Sequence, residues 1–185
     1  MTRAVWGKRL AVLVVALMAE ASAAQDGSAE PAVVAETTAR PEPDRGAVTN
    51  LPLPRYVTLK TGAGNARRGP GLTHRIDWVF TRAGMPLRLT AEYENWRRVE
   101  DAEGAGGWVH YTLLSGVRAA LVAQDLAEFH VGPDDSTTVV VQAELGVIAR
   151  LLACQPDWCR LRVEGEKGWV RKTALWGVDP GEIID

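Results

Sequence analysis

The residues best suited to chemistry in this 185-residue chain are few, and their spacing argues against catalysis. The histidines at positions 74, 110 and 130 lack the short spacing of metal ligands. Ser115 and Ser136 are the serines of the C-terminal part, and neither stands in a G-x-S-x-G nucleophile elbow. We therefore expect no catalytic residues, no metal site and no cofactor, so that the chain is not an enzyme.

The two cysteines, Cys154 and Cys159, predict a disulfide rather than a pair of reactive thiols. Pro156 and Asp157 between them favour a turn, which brings the flanking residues opposite each other within bridging distance. In an exported chain, which the N-terminus indicates below, such a pair is expected to be oxidised. Free thiols are the alternative.

Aromatic and basic side chains point to binding. Because side chains alternate along a strand, Trp96 shares a face with Arg98, and Val99 lies on the opposite, core-facing side. Trp108 shares a face with His110 in the same way. Such tryptophans either cap the open ends of a small barrel or line a recognition groove, and both interpretations stay open. The predicted ligand-binding residues are Arg67, Trp96, Arg98, Trp108 and His110.

These residues belong to a pattern that occurs twice. In the first copy the marks are Gly69-Pro70, Gly84, Trp96 and Gly107-Trp108-Val109; in the second they are Gly132-Pro133, Gly146, Trp158 and Gly168-Trp169-Val170. Each mark recurs 61 to 63 residues later. A period of this length is too long for a solenoid unit and long enough for a small domain, so the chain is a tandem.

The segments between these marks predict an all-β fold. Short apolar stretches, separated by Gly, Pro, Asn or acidic residues every 8–12 positions, are typical of small barrels. In the first copy the predicted strands are Tyr56–Leu59, Ile76–Phe80, Pro86–Leu89, Trp96–Glu100 and Gly107–His110. In the second they are Ala119–Ala123, Ala127–Val131, Thr138–Gln142, Val147–Leu152, Trp158–Val163 and Gly168–Arg171.

Three motifs resemble those of a known family. Asn65-Ala66-Arg67-Arg68-Gly69-Pro70 is similar to the opening of bacterial SH3-like (SH3b) domains, and Asn95 to Val99 and Gly107 to His110 are similar to its later signatures. The resemblance implies two tandem SH3-like barrels, at residues 55–117 and 118–177, followed by a tail at 178–185. The short connection between the barrels predicts that they touch.

The second copy keeps only part of the pattern. Glu128, His130 and Val131 depart from the opening motif, whereas Gly132-Pro133 and Trp158 remain. The resemblance therefore implies the same fold for both copies but a ligand site in the first.

The N-terminus predicts export. Three basic residues precede an apolar run from Leu10 to Ala19, and the small residues at 21–23 fit a signal peptidase site, so residues 1–23 are expected to be a signal peptide cleaved near Ala23. The run is shorter than the roughly 20 residues of a membrane-spanning helix, so the mature chain is expected to have no integral membrane segment. Residues 24–54, rich in Ala, Pro and acidic residues, predict a disordered linker.

Charge narrows the expected partners. The net charge is −2, and without residues 1–23 it is −4, so no basic surplus suggests nucleic acid. Residues 55–117 carry +3, which is compatible with an acidic partner for the first copy, but a merely solvated surface, or attraction between the two copies, is the slightly favoured interpretation. The resemblance to SH3b domains implies the ligand class, so that the expected function is an exported, periplasmic or secreted module that binds cell-wall peptide or peptidoglycan. The alternative is a periplasmic adaptor or regulatory subunit that binds an envelope protein, and a hydrolase with an unrecognised site is less favoured.

Overall fold

The computed structural model describes residues 44–185. The predicted signal peptide and residues 24–43 of the predicted linker lie outside the described residues. Within 44–185 the only helical segments are the 3₁₀ turns Tyr111–Leu113 and Lys172–Ala174, and neither is a helix that could cross a membrane.

Fourteen strands form two antiparallel sheets of seven strands each. The first sheet contains β1 (Arg55–Leu59), β2 (Gly64–Arg67), β3 (Ile76–Phe80), β4 (Pro86–Tyr93), β5 (Trp96–Glu100), β6 (Gly106–His110) and β7 (Leu114–Ser115). The second contains β8 (Ala119–Val122), β9 (Ala127–His130), β10 (Val139–Ala143), β11 (Ile148–Cys154), β12 (Trp158–Val163), β13 (Glu166–Arg171) and β14 (Leu175–Trp176). The all-β tandem predicted from the sequence is therefore confirmed.

The two sheets have the same strand order. The first runs β3-β2-β6-β5-β4-β1-β7, and the second runs β10-β9-β13-β12-β11-β8-β14. Each position in one copy thus has a counterpart in the other, and the register of the strands identifies it. Residues at equivalent positions of the two barrels can therefore be compared directly.

Each barrel encloses its own apolar core, built from alternate residues of its strands. In β12, Cys159, Leu161 and Val163 are buried, whereas Arg160 and Arg162 are exposed, as the alternation predicts. The first core is centred on Leu59, Phe80, Leu87, Leu89, Val99 and Val109, and the second on Val122, Phe129, Ala149, Cys159, Leu161 and Val170.

Two glycines allow neighbouring strands to approach closely. A Cβ atom on Gly107 would lie 2.6 Å from the carbonyl oxygen of Arg67, and one on Gly168 would lie 2.6 Å from Cβ of Phe129. Real side chains do not tolerate such distances, so glycine is required where β6 crosses β2 and where β13 crosses β9.

The predicted disordered linker is wrong at its C-terminal end. Residues 44–54, which we call the N-terminal strap, fold back on themselves through an Arg45–Pro52 bridge and pack on the first barrel, where Leu53 joins the core. Glu92 of β4 holds the strap, accepting hydrogen bonds from the backbone amides of Val48 and Thr49 at 3.0 and 2.8 Å. A buried partner distant in sequence therefore orders a segment whose composition alone predicts disorder.

Residues 178–185, expected as a tail, are folded in the same manner. Val178 is buried in the second core, and Ile184 forms a β-bridge with Cys154. Arg118 binds Glu182 through both carboxylate oxygens, at 2.6 and 3.1 Å. Because Arg55 holds Glu92 in the first barrel and Arg118 holds Glu182 in the second, each barrel end is closed by a terminal segment fixed by an arginine–glutamate pair.

Cys154 and Cys159 form the predicted disulfide and are direct cross-strand partners. The matching positions in the first barrel are Glu92 and Arg97, which are also direct partners and lie 3.6 Å apart as an ion pair. The same cross-strand position is thus occupied by a covalent bond in one barrel and by buried charges in the other.

The barrels touch, as the short connection predicts. Arg82 donates a hydrogen bond to the carbonyl of Gly146 at 2.6 Å. The rings of Tyr56 and Trp176 meet edge to face, 5.3 Å between centroids.

Candidate functional site

The structure brings the five predicted ligand-binding residues onto one face of the first sheet, which we call the aromatic–basic face. Arg67 on β2 is the direct partner of Trp108 on β6, and Trp108 is the direct partner of Arg98 on β5. Directly opposed residues in an antiparallel sheet project to the same side. Trp108 is therefore flanked across the strands by two arginines.

A second row runs parallel to the first on the same face. Trp96 on β5 is opposite His110 on β6, and their rings meet edge to face with centroids 5.5 Å apart. His110 also lies 5.1 Å from the ring of Tyr111, and its Nδ1 is 2.8 Å from the hydroxyl of Thr112. These contacts fix the orientation of the imidazole.

The two tryptophans of this face differ in exposure. Trp96 is only 8% exposed, whereas Trp108 is half-buried. Trp96 therefore packs against its neighbours in the sheet, in line with the capping interpretation. Trp108 remains accessible to a ligand. The sequence places both rings on the same face but does not reveal what covers either.

The arginines of the face also differ. Arg67 donates hydrogen bonds through Nη1 to the carbonyls of Leu72 and His74, at 3.0 and 2.6 Å, and so holds the loop between β2 and β3. Arg98 is exposed, and within residues 44–185 its guanidinium makes no hydrogen bond or ion pair. Arg98 is the free cation of the row, and Arg67 positions the loop at its border.

Sequence reasoning missed two tyrosines at the edge of this face. Tyr93 is directly opposite Trp96 and is 51% exposed, and Tyr111 follows His110 and is 49% exposed. The sequence could have predicted the position of Tyr93. A two-residue turn at Glu94-Asn95 makes the flanking residues, Tyr93 and Trp96, a cross-strand pair. Tyr111 lies in a 3₁₀ turn, where alternation gives no guidance.

The corresponding face of the second barrel also has an exposed arginine, Arg160, opposite a half-buried tryptophan, Trp169, but it differs at two other positions. His130, the counterpart of Arg67, is 5% exposed and packs edge to face on Trp158, with Nδ1 2.9 Å from the carbonyl oxygen of Thr137. Arg171, the counterpart of His110, lies 4.6 Å over the Trp158 ring and is bound to Asp135. That hydrogen bond from Arg171 lowers the pKa of Asp135. The first barrel thus has Arg67 and His110 at the two positions where the second has His130 and Arg171.

No group of three or more His, Cys, Asp or Glu side chains in residues 44–185 is arranged to hold a metal ion. The most strongly perturbed carboxylate, Glu92, lies on the core side of β4, away from the aromatic–basic face. Burial raises its pKa, but hydrogen bonds from Arg55, Thr49 and Val48 outweigh this effect and lower the pKa to about 2. Glu92 is thus a structural anion that remains ionised.

Comparison with known proteins gives one family. Residues 60–116 and again residues 124–177 match the family described as bacterial SH3 domain. A search of curated protein sequences found no match.

Two solved structures are similar in part, those of NlpC2 and NlpC1 from Trichomonas vaginalis. Both are 14% identical to this chain, with a TM-score of 0.32. The matches cover 68% and 71% of this chain, and 50% and 48% of the other chains. The chain thus spans about half the length of these proteins, and at that TM-score the likeness does not bear on its function.

Proposed function

Since the chain belongs to the bacterial SH3 domain family, with two copies of the domain, we propose that it is an exported, non-catalytic binding module of the cell envelope. Its ligand is cell-wall peptide or peptidoglycan, held on the aromatic–basic face of the first barrel. The row Arg67–Trp108–Arg98 is the observation on which this proposal rests.

The chemistry of this row suits a wall peptide. A half-buried indole offers a large rigid contact surface at a low cost in conformational entropy. The guanidinium of Arg98 supplies paired donors for a carboxylate, the charged group that peptide stems carry. The net charge of +3 over residues 55–117 attracts an acidic ligand, although screening limits this attraction to about 10 Å at ordinary ionic strength.

The difference between the barrels supports a division of roles. Arg98 and Trp108 have counterparts in the exposed Arg160 and the half-buried Trp169, so the barrels differ at the remaining positions of the face. In the second barrel, Arg171 is bound to Asp135, and the position of Arg67 is taken by the buried His130. We therefore assign the binding of wall peptide to the first barrel.

Reversing the charge of Arg98 tests the proposal. We expect Arg98→Glu to reduce co-sedimentation of the purified chain with sacculi by about tenfold or more, because it replaces a charge-assisted donor pair with a repelling carboxylate. The free energy of unfolding should be nearly unchanged, since the Arg98 side chain makes no bonds within residues 44–185.

The matched control is Arg160→Glu, at the equivalent exposed position of the second barrel. Both substitutions change the net charge equally, so a nonspecific charge effect would weaken both variants alike. Equal retention of the two variants, or no sedimentation of the unmodified chain, contradicts wall binding. If crosslinking in cells instead captures one envelope protein in an Arg98-dependent manner, the face belongs to a protein–protein adaptor. Release of soluble fragments from purified wall material would show that the chain is a hydrolase.

A further inference from the structure

A cavity of about 370 Å³ lies at the junction of the two barrels. Its apolar wall includes Val117 and Ala119 from the connection and the start of β8, and Ile148 from β11. Arg150, Arg162 and Glu164 of the second barrel line the same cavity. It lies outside the aromatic–basic face and plays no part in the function proposed above.

The two arginines of this cavity are direct cross-strand partners, Arg150 on β11 and Arg162 on β12. Like charges that face each other directly across an antiparallel pair are unfavourable. Within residues 44–185 neither arginine has a carboxylate oxygen within ion-pair distance, Glu164 included. Lys167, the partner of Arg162 on the other side, extends the row of positive charge.

At the equivalent positions the first barrel has one cation and one anion instead of two cations. The counterparts of Arg150 and Arg162 are Arg88 and Glu100, which are also direct partners and form an ion pair at 3.2 Å. The second barrel thus has two cations where its duplicate has a cation and an anion. An anion from outside the chain would restore the balance.

A third arginine lies in the same wall but is already engaged. Arg118 binds Glu182 and the carbonyl of Gly177 through its terminal nitrogens. Its Nε is the one side-chain nitrogen or oxygen in residues 44–185 that is buried without a hydrogen-bond partner. Arg118 therefore contributes to the wall, while its terminal nitrogens are already engaged and Arg150 and Arg162 provide the two exposed guanidinium groups.

The geometry points to a second ligand site at the barrel junction, which takes a monocarboxylate carried on a compact apolar group. Arg150 and Arg162 hold the carboxylate, whose two oxygens accept from both guanidinium groups. Val117, Ala119 and Ile148 cover the apolar part. Glu164 in the same wall disfavours a dianion such as phosphate relative to a singly charged carboxylate.

NMR titration of the isotope-labelled chain tests this site, with N-acetyl-alanyl-alanine, its C-terminal amide and sodium butyrate as probes. We expect the free acid to shift the amide resonances of Ala119, Ile148 and Gly165, and the amide probe to leave them unchanged. Butyrate binding as tightly as the free acid would identify a small carboxylate as the ligand; binding of the peptide acid alone would identify a peptide C-terminus.

Arg162→Glu is the decisive variant because it installs the ion pair that the first barrel already has. We expect it to keep or raise the thermal midpoint and to weaken binding of the free acid by about tenfold or more. The control Arg160→Glu lies on the same face of β12 but does not line the cavity, and it should bind as the unmodified chain does. Equal binding of acid and amide, no binding of any probe, or equal affinities of the two variants would overturn the site.

Discussion

Replacing Glu92 with Gln should lower the free energy of unfolding by about 3 kcal/mol, because it removes one partner of a buried charge pair. The Glu92 side chain is fully buried and lies 2.7 Å from Arg55. Its Oε2 accepts hydrogen bonds from the amides of Val48 and Thr49, and its Oε1 accepts one from Arg55, so the NH2 group of Gln would face a donor at one of these two positions. Denaturant unfolding would measure the loss, and hydrogen exchange should show faster exchange at Val48 and Thr49 as the N-terminal strap detaches.

The buried Glu92 carboxylate should also make the free energy of unfolding depend on pH. The pKa of Glu92 is lowered from 4.5 to about 2 in the folded chain, so the unfolded chain binds the proton more tightly. Its stabilising contribution is present above pH 4.5 and is lost as the pH falls toward 2. A shift of this size corresponds to roughly 3 kcal/mol, and Glu92→Gln should lack this part of the pH profile.

Glu100→Gln is the matched control, since it removes a carboxylate from an exposed ion pair with Arg88 on the same sheet. We expect a loss of about 0–1 kcal/mol and continued protection of the strap amides. If Glu92→Gln and Glu100→Gln have equal stabilities and equal exchange rates in the strap, Glu92 does not hold it.

Trp96→Ala should lower the free energy of unfolding by about 3–5 kcal/mol, the usual cost of removing a large buried side chain. Trp96 is 8% exposed and its ring packs against His110 at 5.5 Å. Chemical denaturation, followed by far-ultraviolet circular dichroism, would measure the change.

Trp108→Ala provides the comparison within the same face. Trp108 is half-buried, so its removal should cost less stability than Trp96→Ala and should weaken sacculus binding directly. The opposite result, a stable Trp96→Ala variant that no longer binds while Trp108→Ala binds normally, would assign the ligand contact to Trp96.

Local pattern was sufficient to predict most of the longer strands and the faces they present. The alternation from Trp158 to Val163, and the recurrence of Gly107 at Gly168, depend only on a period of two and on close strand crossings. The turn between Cys154 and Cys159 predicted the disulfide for the same local reason. β2 was missed because Gly64-Asn65-Ala66-Arg67 has weak strand propensity and is held by its pairing with β3 and β6.

Features that depend on distant partners could not be read from the sequence. The N-terminal strap is ordered by Glu92, more than forty positions away, and Arg67 is engaged by the carbonyls of its own loop. Alternation placed Trp96 on the correct face but did not show that His110 covers it. The candidate face was therefore predictable as a set of residues, whereas the separate roles of its members required the structure.

An NMR titration of the labelled chain with soluble peptidoglycan fragments, read at equivalent positions of both barrels, tests directly whether the first barrel binds the cell wall. We expect shifts of the backbone amides of Arg67, Arg98 and Trp108 and of the Trp108 indole, with no shifts at His130, Arg160 and Trp169. Equal shifts at both sets of positions, or none at either, would contradict the assignment of wall binding to the first barrel.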